Sequence, residues 1–284
     1  MNIRRLLSHS AGLDDDLGYG GFALDEEART LEESLNSATD GYYDGAAARV
    51  GIEPGTQYMY SGAGYTILQL LIEEVTGKSF QAYMAEEVLA PLGMQNSTFI
   101  LSEKPNLSLA AIYKEDGTKR ERRKFTALAA AALHTSTADL SKLLIANVSE
   151  NKVLSQETIM QMSQAQTFRN DVGIYGLGPD LYSQNDTHST IIGHDGSGNN
   201  ALNTAARIDL QSKNGIIVLE TGSHDLASAI ADEWIFGKAG IADRVVIERN
   251  ILYLTALLAI GYLLIAIVAT VLIRKTVRRR NATI

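Results

Sequence analysis

The sequence predicts an α+β domain followed by one transmembrane helix, and three observations lead to this. Residues 3–166 carry apolar residues at helical spacing between Gly and Pro breaks. Residues 175–223 instead alternate turn residues with short β-prone runs, as successive antiparallel strands do. Residues 251–273 carry no charge over 23 positions. Helices followed by a meander and a closing helix are typical of α+β folds.

The N-terminal helices are predicted from their end signals. Gly12 ends one or two helical turns in "IRRLLSHSAGL", and residues 24–36 form a polar helix. Residues 65–76, "YTILQLLIEEVT", are spaced as a helix that stops at a C-capping Gly77. Residues 79–94 begin with a Ser N-cap, so we expect these last two helices to pack as a hairpin.

The later elements follow in order. Residues 125–148 combine a small-residue stretch with a helix capped at Ser136 or Thr137, and residues 155–166 form a short helix. The segments "YGLGPDLYS", "STIIGHDGSGNNALNTAARID" and "NGIIVLETGS" predict the antiparallel strands. Residues 225–240 form a final amphipathic helix.

The apolar run predicts a single-pass membrane anchor. At 1.5 Å per residue, residues 251–273 form a helix of about 34 Å, enough to cross a hydrocarbon core. A cluster of basic residues follows at once: Arg274, Lys275, Arg278, Arg279 and Arg280. Positive charge stays inside, so residues 1–245 are expected to form an extracytoplasmic domain and residues 274–284 a cytoplasmic tail. The predicted location is the cell membrane.

The start of the chain does not match this topology. An exported domain needs a signal peptide, and "MNIRRLLSHSAGL" has two arginines but no apolar region of sufficient length. The sequence therefore predicts that an N-terminal part of the fold is missing before residue 1.

Composition excludes several function classes. A formal net charge of −8, with a basic tail, leaves an acidic main domain that does not suit a nucleic-acid partner. The absence of cysteine excludes disulfides, thiolate catalysis and Cys-based zinc sites. No His-x-x-x-His or His-Glu-x-x-His occurs, so no metal and no cofactor are predicted. Ser61 and Ser197 lie among glycines, but neither fits the Gly-x-Ser-x-Gly nucleophile motif.

Several separated segments together resemble one family. They are "IRRLLSHSAGL", "PGTQYMYSGAGYTILQLLIEEVTGKSFQAYMAEEVLAPLGMQNSTF", "LHTSTADLSKLL", "YGLG", "GHDGSGN" and "NGIIVLETGS". In order and spacing they resemble the serine β-lactamase and penicillin-binding-protein superfamily, in its branch of class C β-lactamases, D-alanyl-D-alanine carboxypeptidases and esterases. The resemblance runs from residue 2 to about residue 237. It implies a β-lactamase/transpeptidase-like antiparallel sheet flanked by helices.

The resemblance also implies roles for individual residues. Tyr60, in "YSG", matches the tyrosine that relays a proton between the serine and the leaving group, although it could be an ordinary half-buried tyrosine. Gly62 stands where the family usually has Asn, which removes an amide that contacts the substrate and puts β-lactam turnover in doubt.

A second match lies on a strand. His194 and Gly196 match the His-x-Gly motif that faces the substrate, with His194 binding a carboxylate or tuning the tyrosine's proton and Gly196 allowing close approach. The alternative for His194 is a turn histidine beside glycines. Ser197 either binds ligand or caps the turn, and His9 matches a position that holds a loop beside the site.

The family's Ser-x-x-Lys nucleophile motif is absent from its expected place upstream. One Ser-x-x-Lys occurs, from Ser149 to Lys152, but it lies in a polar turn and is taken as a chance match.

Two hypotheses remain open. The chain is part of a membrane-anchored serine hydrolase acting on D-Ala-D-Ala peptides, β-lactams or esters, and is inactive alone; or it is a non-catalytic domain that binds peptidoglycan stem peptides or a membrane partner. The sequence predicts no particular oligomeric state.

Overall fold

The computed structural model describes residues 1–13, 19–37, 47–169, 171–184, 189–198, 201–239 and 244–281. In these residues, helices pack around an antiparallel sheet, and a long helix follows at the C-terminal end. The predicted α+β class is therefore confirmed.

The first helices are α1 (Ile3–Leu7), α2 (Leu31–Asn36), α3 (Gly62–Thr76) and α4 (Phe80–Met84). The prediction that the first helical turns run to Gly12 was wrong: α1 ends at Leu7, because His9 has a φ of 51°, in the left-handed region that a right-handed helix cannot include. Helix α2 starts later than predicted, at Leu31, where Thr30 and Glu33 form a capping box.

Helices α3 and α4 form the predicted hairpin. Helix α3 begins at Gly62, three residues earlier than the sequence pattern indicates, and ends at Gly77 with a φ of 66°. Ser79 caps α4 by accepting a hydrogen bond from the Ala82 N–H at 3.3 Å. A π-helical turn, Ala85–Leu89, continues α4 and brings Leu89 into the same apolar cluster as Phe80.

The middle of the chain adds a short hairpin, β1 (Ile112–Tyr113) and β2 (Lys119–Arg120), and the helices α5 (Leu128–Ala131), α6 (Thr137–Ala146) and α7 (Gln156–Met162). The hairpin strands are two residues each, too short for a periodic signal in the sequence. The Ser136 side chain accepts from the Asp139 N–H at 3.2 Å, so the predicted N-cap of α6 is confirmed.

The sheet contains β3 (Thr167–Arg169), β4 (Val172–Tyr175), β5 (Asp180–Gln184), β6 (Ser189–Gly198), β7 (Leu202–Asp209) and β8 (Gly215–Thr221). Each strand pairs antiparallel with the next in the chain, as a meander does. Helix α8 (Leu226–Ala239) covers β7 and β8, and its Ala227 and Ala231 pack against Ala205. The small side chains allow the helix to approach the sheet closely.

The register of β6 against β7 decides which side chains face the helices. Asp195 lies opposite Ala205 and Ser197 opposite Asn203, whose side-chain amide donates to the Ser228 hydroxyl of α8 at 3.1 Å. Because side chains alternate along a strand, Asp195 and Ser197 point to the α8 face, and His194 points to the opposite face.

One helix of the described residues is long and apolar enough to span a membrane. Helix α9 (Arg244–Asn281) contains the stretch Ile251–Lys275, with a mean hydropathy of 2.8 and no burial against the rest of the protein. This helix includes the predicted span and is consistent with a single-pass anchor.

Candidate active site

The two predicted catalytic residues line one cavity. Tyr60 precedes α3 and His194 lies on β6, and their ring centroids are 6.1 Å apart. This cavity, which we call the Tyr60–His194 cavity, has a volume of about 220 Å³. Its wall is formed from several elements, through His9, Tyr60, Ser61, Gly62, Tyr65, Ala129, Ala130, Tyr175, Gly178 and His194.

Tyr60 is held at the start of helix α3. It directly precedes Ser61, the N-cap residue of α3, and its ring lies 4.2 Å from the His9 ring, centroid to centroid. Tyr60 is 42% exposed and also lines the cavity, so its side chain is accessible to solvent at the site. This position suits a side chain that contacts a ligand.

His9 does more than the loop-holding role that the sequence predicts. Its Nδ1 accepts a hydrogen bond from the Ser61 N–H at 3.1 Å, which ties the turn after α1 to the start of α3. Its ring also lines the cavity and is surrounded by four tyrosine rings, those of Tyr58, Tyr60, Tyr65 and Tyr175. Burial, and secondarily the nearby His194, lower the pKa of His9 to about 3, so its ring is neutral at pH 7.

His194 has its two ring nitrogens in different surroundings. Nδ1 lies 2.5 Å from the Asp195 carbonyl oxygen, and because a carbonyl only accepts, Nδ1 carries the proton. In the neutral ring Nε2 is then an acceptor, and it lies 4.0 Å from the Asp180 carboxylate. This tautomer fits a role in tuning the tyrosine's proton, the second of the two roles implied for His194.

The structure does not bring Gly196 and Ser197 to the cavity. A Cβ atom at Gly196 would lie 2.4 Å from the Thr204 hydroxyl oxygen, so this glycine makes room for a side chain of the neighbouring strand. Ser197 is exposed and faces the α8 side of the sheet, away from His194. Their predicted contact with substrate stays a prediction.

Gly62 lines the cavity at the first residue of α3, as its predicted role requires.

Two further tyrosines of the wall, Tyr65 and Tyr175, were missed by the sequence analysis. Tyr65 donates to the Leu7 carbonyl at 3.1 Å, and burial raises its pKa to about 12. Tyr175 is the tyrosine of the "YGLG" segment. This segment was the one feature of the sequence that could have pointed to Tyr175 as a residue of the site.

A second, larger cavity of about 290 Å³ shares His194 and Gly178 with the first. Its wall is almost entirely apolar and is built mainly from α6, α7 and the strands behind them, through residues such as Leu140, Leu143, Leu144, Ile159, Met162, Ile192 and Ile208. Space for an apolar group therefore lies directly beside the candidate site.

The described part of the chain places no serine beside a base in the Tyr60–His194 cavity. Ser149, of the single Ser-x-x-Lys, is exposed and donates to the Ile145 carbonyl at 2.8 Å, outside the cavity. Ser61 lines the cavity, but His9 Nδ1 bonds to the Ser61 backbone N–H and is not available to its hydroxyl. Neither serine has the activated arrangement that nucleophilic catalysis needs.

An antiparallel sheet flanked by helices, with Tyr60 at a helix start and His194 on a strand of one cavity, is the arrangement implied by the resemblance to penicillin-binding proteins and serine β-lactamases. The β-lactamase family model matches residues 1–236. The chain belongs to the β-lactamase family, and the predicted resemblance is confirmed.

Individual relatives agree with this assignment. The octameric penicillin-binding protein homologue from Pyrococcus abyssi is 26% identical, with a TM-score of 0.62 over 83% of this chain and 55% of its own. A β-lactamase/D-alanine carboxypeptidase from Pseudomonas syringae is 16% identical, with a TM-score of 0.60 over 84% of this chain and 72% of its own, and supports the fold alone.

The similarity at the level of sequence is local. A penicillin-binding protein of Bacillus subtilis strain 168 is 28% identical over 102 residues, which is 34% of this chain and 21% of the relative. The chain thus spans about a fifth of that relative's length and about half of the Pyrococcus abyssi chain.

Proposed function

We propose that this domain forms the substrate-handling part of a membrane-anchored serine hydrolase that acts on D-Ala-D-Ala peptides, β-lactams or small esters through an acyl-serine. The observation that carries the proposal is the meeting of Tyr60 and His194, from two distant motifs, on one cavity. Tyr60 would relay the proton, and the acceptor Nε2 of His194 would tune it. The name of the Bacillus subtilis protein, a penicillin-binding protein, supports the β-lactam part of this substrate class.

The second candidate function is binding without catalysis. The surroundings of two described serines favour it, because neither Ser61 nor Ser149 lies beside an available base. On this proposal the polypeptide by itself holds a peptidoglycan stem peptide in the cavity and forms no covalent bond with it.

Both proposals give the same expected result with β-lactams. The full chain in detergent, incubated with fluorescent penicillin and analysed by intact-mass spectrometry, should carry no acyl adduct. The chain should nevertheless bind acetyl-D-Ala-D-Ala reversibly in ligand-observed NMR. An adduct on any serine would contradict the absence of an activated nucleophile, and failure to bind the peptide would contradict the substrate class.

A matched pair of variants in α5 tests whether the peptide binds in the Tyr60–His194 cavity. Ala130 lines the cavity, while its neighbour Ala131 is exposed. Ala130→Phe should fill the space and weaken peptide binding by at least about tenfold, whereas Ala131→Phe should leave it unchanged. Equal binding by both variants would locate the peptide elsewhere.

We further propose that α9 crosses the membrane once, with the main domain outside and the basic tail inside. Because the chain has no cysteine, single cysteines introduced at the exposed Ser102 and at Thr276 report topology without background. In intact cells an impermeant maleimide should label Ser102→Cys and not Thr276→Cys. The reverse pattern would overturn the orientation.

A further inference from the structure

Helix α8 carries apolar residues on both of its faces. On the face that packs against the sheet, Ala227 and Ala231 are fully buried beside Ala205. The opposite face carries Leu226 and Ile230, which lie about one turn apart and are 49% and 42% exposed. A helix on the surface of a soluble domain typically has polar residues on its outer side, whereas a helix that is apolar all round is normally covered on all sides. The outer side of α8 is therefore a candidate surface for a partner.

Two aromatic residues continue this surface toward the end of the helix. Phe236 is 51% exposed, and Trp234 is partly exposed, with the Lys238 Nζ atom 5.9 Å from the centroid of its ring. The one exposed acidic residue of this part of α8 is Glu233. Aromatic rings and long cationic side chains are typical of the interface between a membrane and water. The surface, which we call the outer α8 face, consists of Leu226, Ile230, Trp234 and Phe236.

The outer α8 face is tied by a short connection to the apolar stretch of α9. Helix α8 ends at Ala239 and α9 begins at Arg244, so even a fully extended connection spans at most about 18 Å. The apolar stretch begins at Ile251, about 10 Å further along α9. Once α9 crosses a membrane, this connection holds the end of α8 within about 30 Å of the hydrocarbon core.

We propose that the outer α8 face rests on the lipid headgroup region beside α9, with its apolar side chains directed toward the acyl chains. Contact with lipid removes the exposed apolar area of Leu226, Ile230 and Phe236 from water, which drives the binding of helices that lie on a membrane. The headgroup region also accommodates the charges of Glu233 and Lys238, which the hydrocarbon core does not.

The inference rests on the proposed membrane crossing by α9 and adds an orientation of the domain to it. Helix α8 covers one face of the sheet, and His194 points to the opposite face. A domain that rests on its outer α8 face therefore holds His194 on the side of the sheet that is turned away from the lipid.

The test uses the single tryptophan of the chain, Trp234, as a reporter that needs no label. The full chain is reconstituted into vesicles of phosphatidylcholine and phosphatidylglycerol. Lipids brominated near the headgroup end of the acyl chain quench tryptophan on contact, so they should lower the emission of Trp234, and more than lipids brominated at the chain end. Unchanged emission in protein whose α9 is inserted, as the cysteine labelling measures, would overturn the inference and leave the membrane crossing intact.

A control moves the reporter to another exposed aromatic position. Phe168 is 59% exposed on β3, at the edge of the sheet opposite to β8. The variant Trp234→Phe/Phe168→Trp should keep its emission in the brominated vesicles. Quenching equal to that of the wild type would show that the lipid contact is not specific to α8 and would overturn the proposal.

A matched pair of variants tests the apolar contact itself. Leu226→Glu/Ile230→Glu adds two charges to the outer α8 face and should restore the emission of Trp234 in brominated vesicles. Phe168→Glu/Val172→Glu adds the same charges to exposed apolar residues of β3 and β4 and should leave the quenching unchanged. Equal quenching in both variants would overturn the proposal. Shielding of Trp234 from iodide in detergent that grows with protein concentration would assign the face to a second copy of the chain and overturn it as well.

Discussion

Replacement of Arg207 by methionine is expected to lower the free energy of unfolding by about 3–5 kcal/mol. Arg207 is 0% exposed and forms ion pairs with Asp195 of β6 and with Asp232 of α8, the latter at 3.5 Å. Its guanidinium also lies 3.9 Å from the centroid of the Tyr182 ring. Removal of the cation takes its positive charge away from two carboxylates, of which Asp232 is 2% exposed, and the loss of this charge compensation is the main cost.

The double variant Arg207→Met/Asp232→Asn tests that cause. Because the second change neutralises the carboxylate that is 2% exposed, the double variant should be more stable than Arg207→Met alone. Urea denaturation of the full chain in detergent measures both. A loss below about 1 kcal/mol in Arg207→Met, or a further loss in the double variant, would show that the ion pairs do not hold β6 against α8.

Mild acid is expected to destabilise the fold, by about 2 kcal/mol between pH 7 and pH 5 through His9 alone. Burial, with a smaller contribution from His194, lowers the pKa of His9 to about 3, against about 6.5 in the unfolded chain. Between these two values the unfolded chain binds more protons than the folded one, so stability falls as the pH falls. The effect begins near pH 6.5 and is complete near pH 3.

The control is the variant His9→Asn, which has no titrating group at this position. His134, whose pKa is also lowered by burial, changes stability in the same direction in both proteins. The difference between wild type and variant therefore isolates His9. Unfolding measured at pH 7, 6 and 5 should show a steeper loss in the wild type, and parallel losses would contradict the assigned pKa.

The sequence predicted several residues of the cavity wall, because its motifs name residue types at fixed spacing. Tyr60, Gly62 and His194 were identified in this way, and all three line the cavity. For Ser197, in "DGSGN", the sequence left ligand binding and turn capping open, and strand alternation places its side chain on the α8 face. A linear motif does not say which of its residues share a face.

The sequence by itself determined the class of fold, the C-terminal end of α3 and the apolar helix, since periodicity and capping residues act locally. Only the tertiary structure decided that His9 lines the Tyr60–His194 cavity. Its left-handed backbone ends α1 early, and its hydrogen bond to Ser61 joins residues that are far apart in the chain. Contacts of this kind depend on how distant segments pack, and no local pattern carries that information.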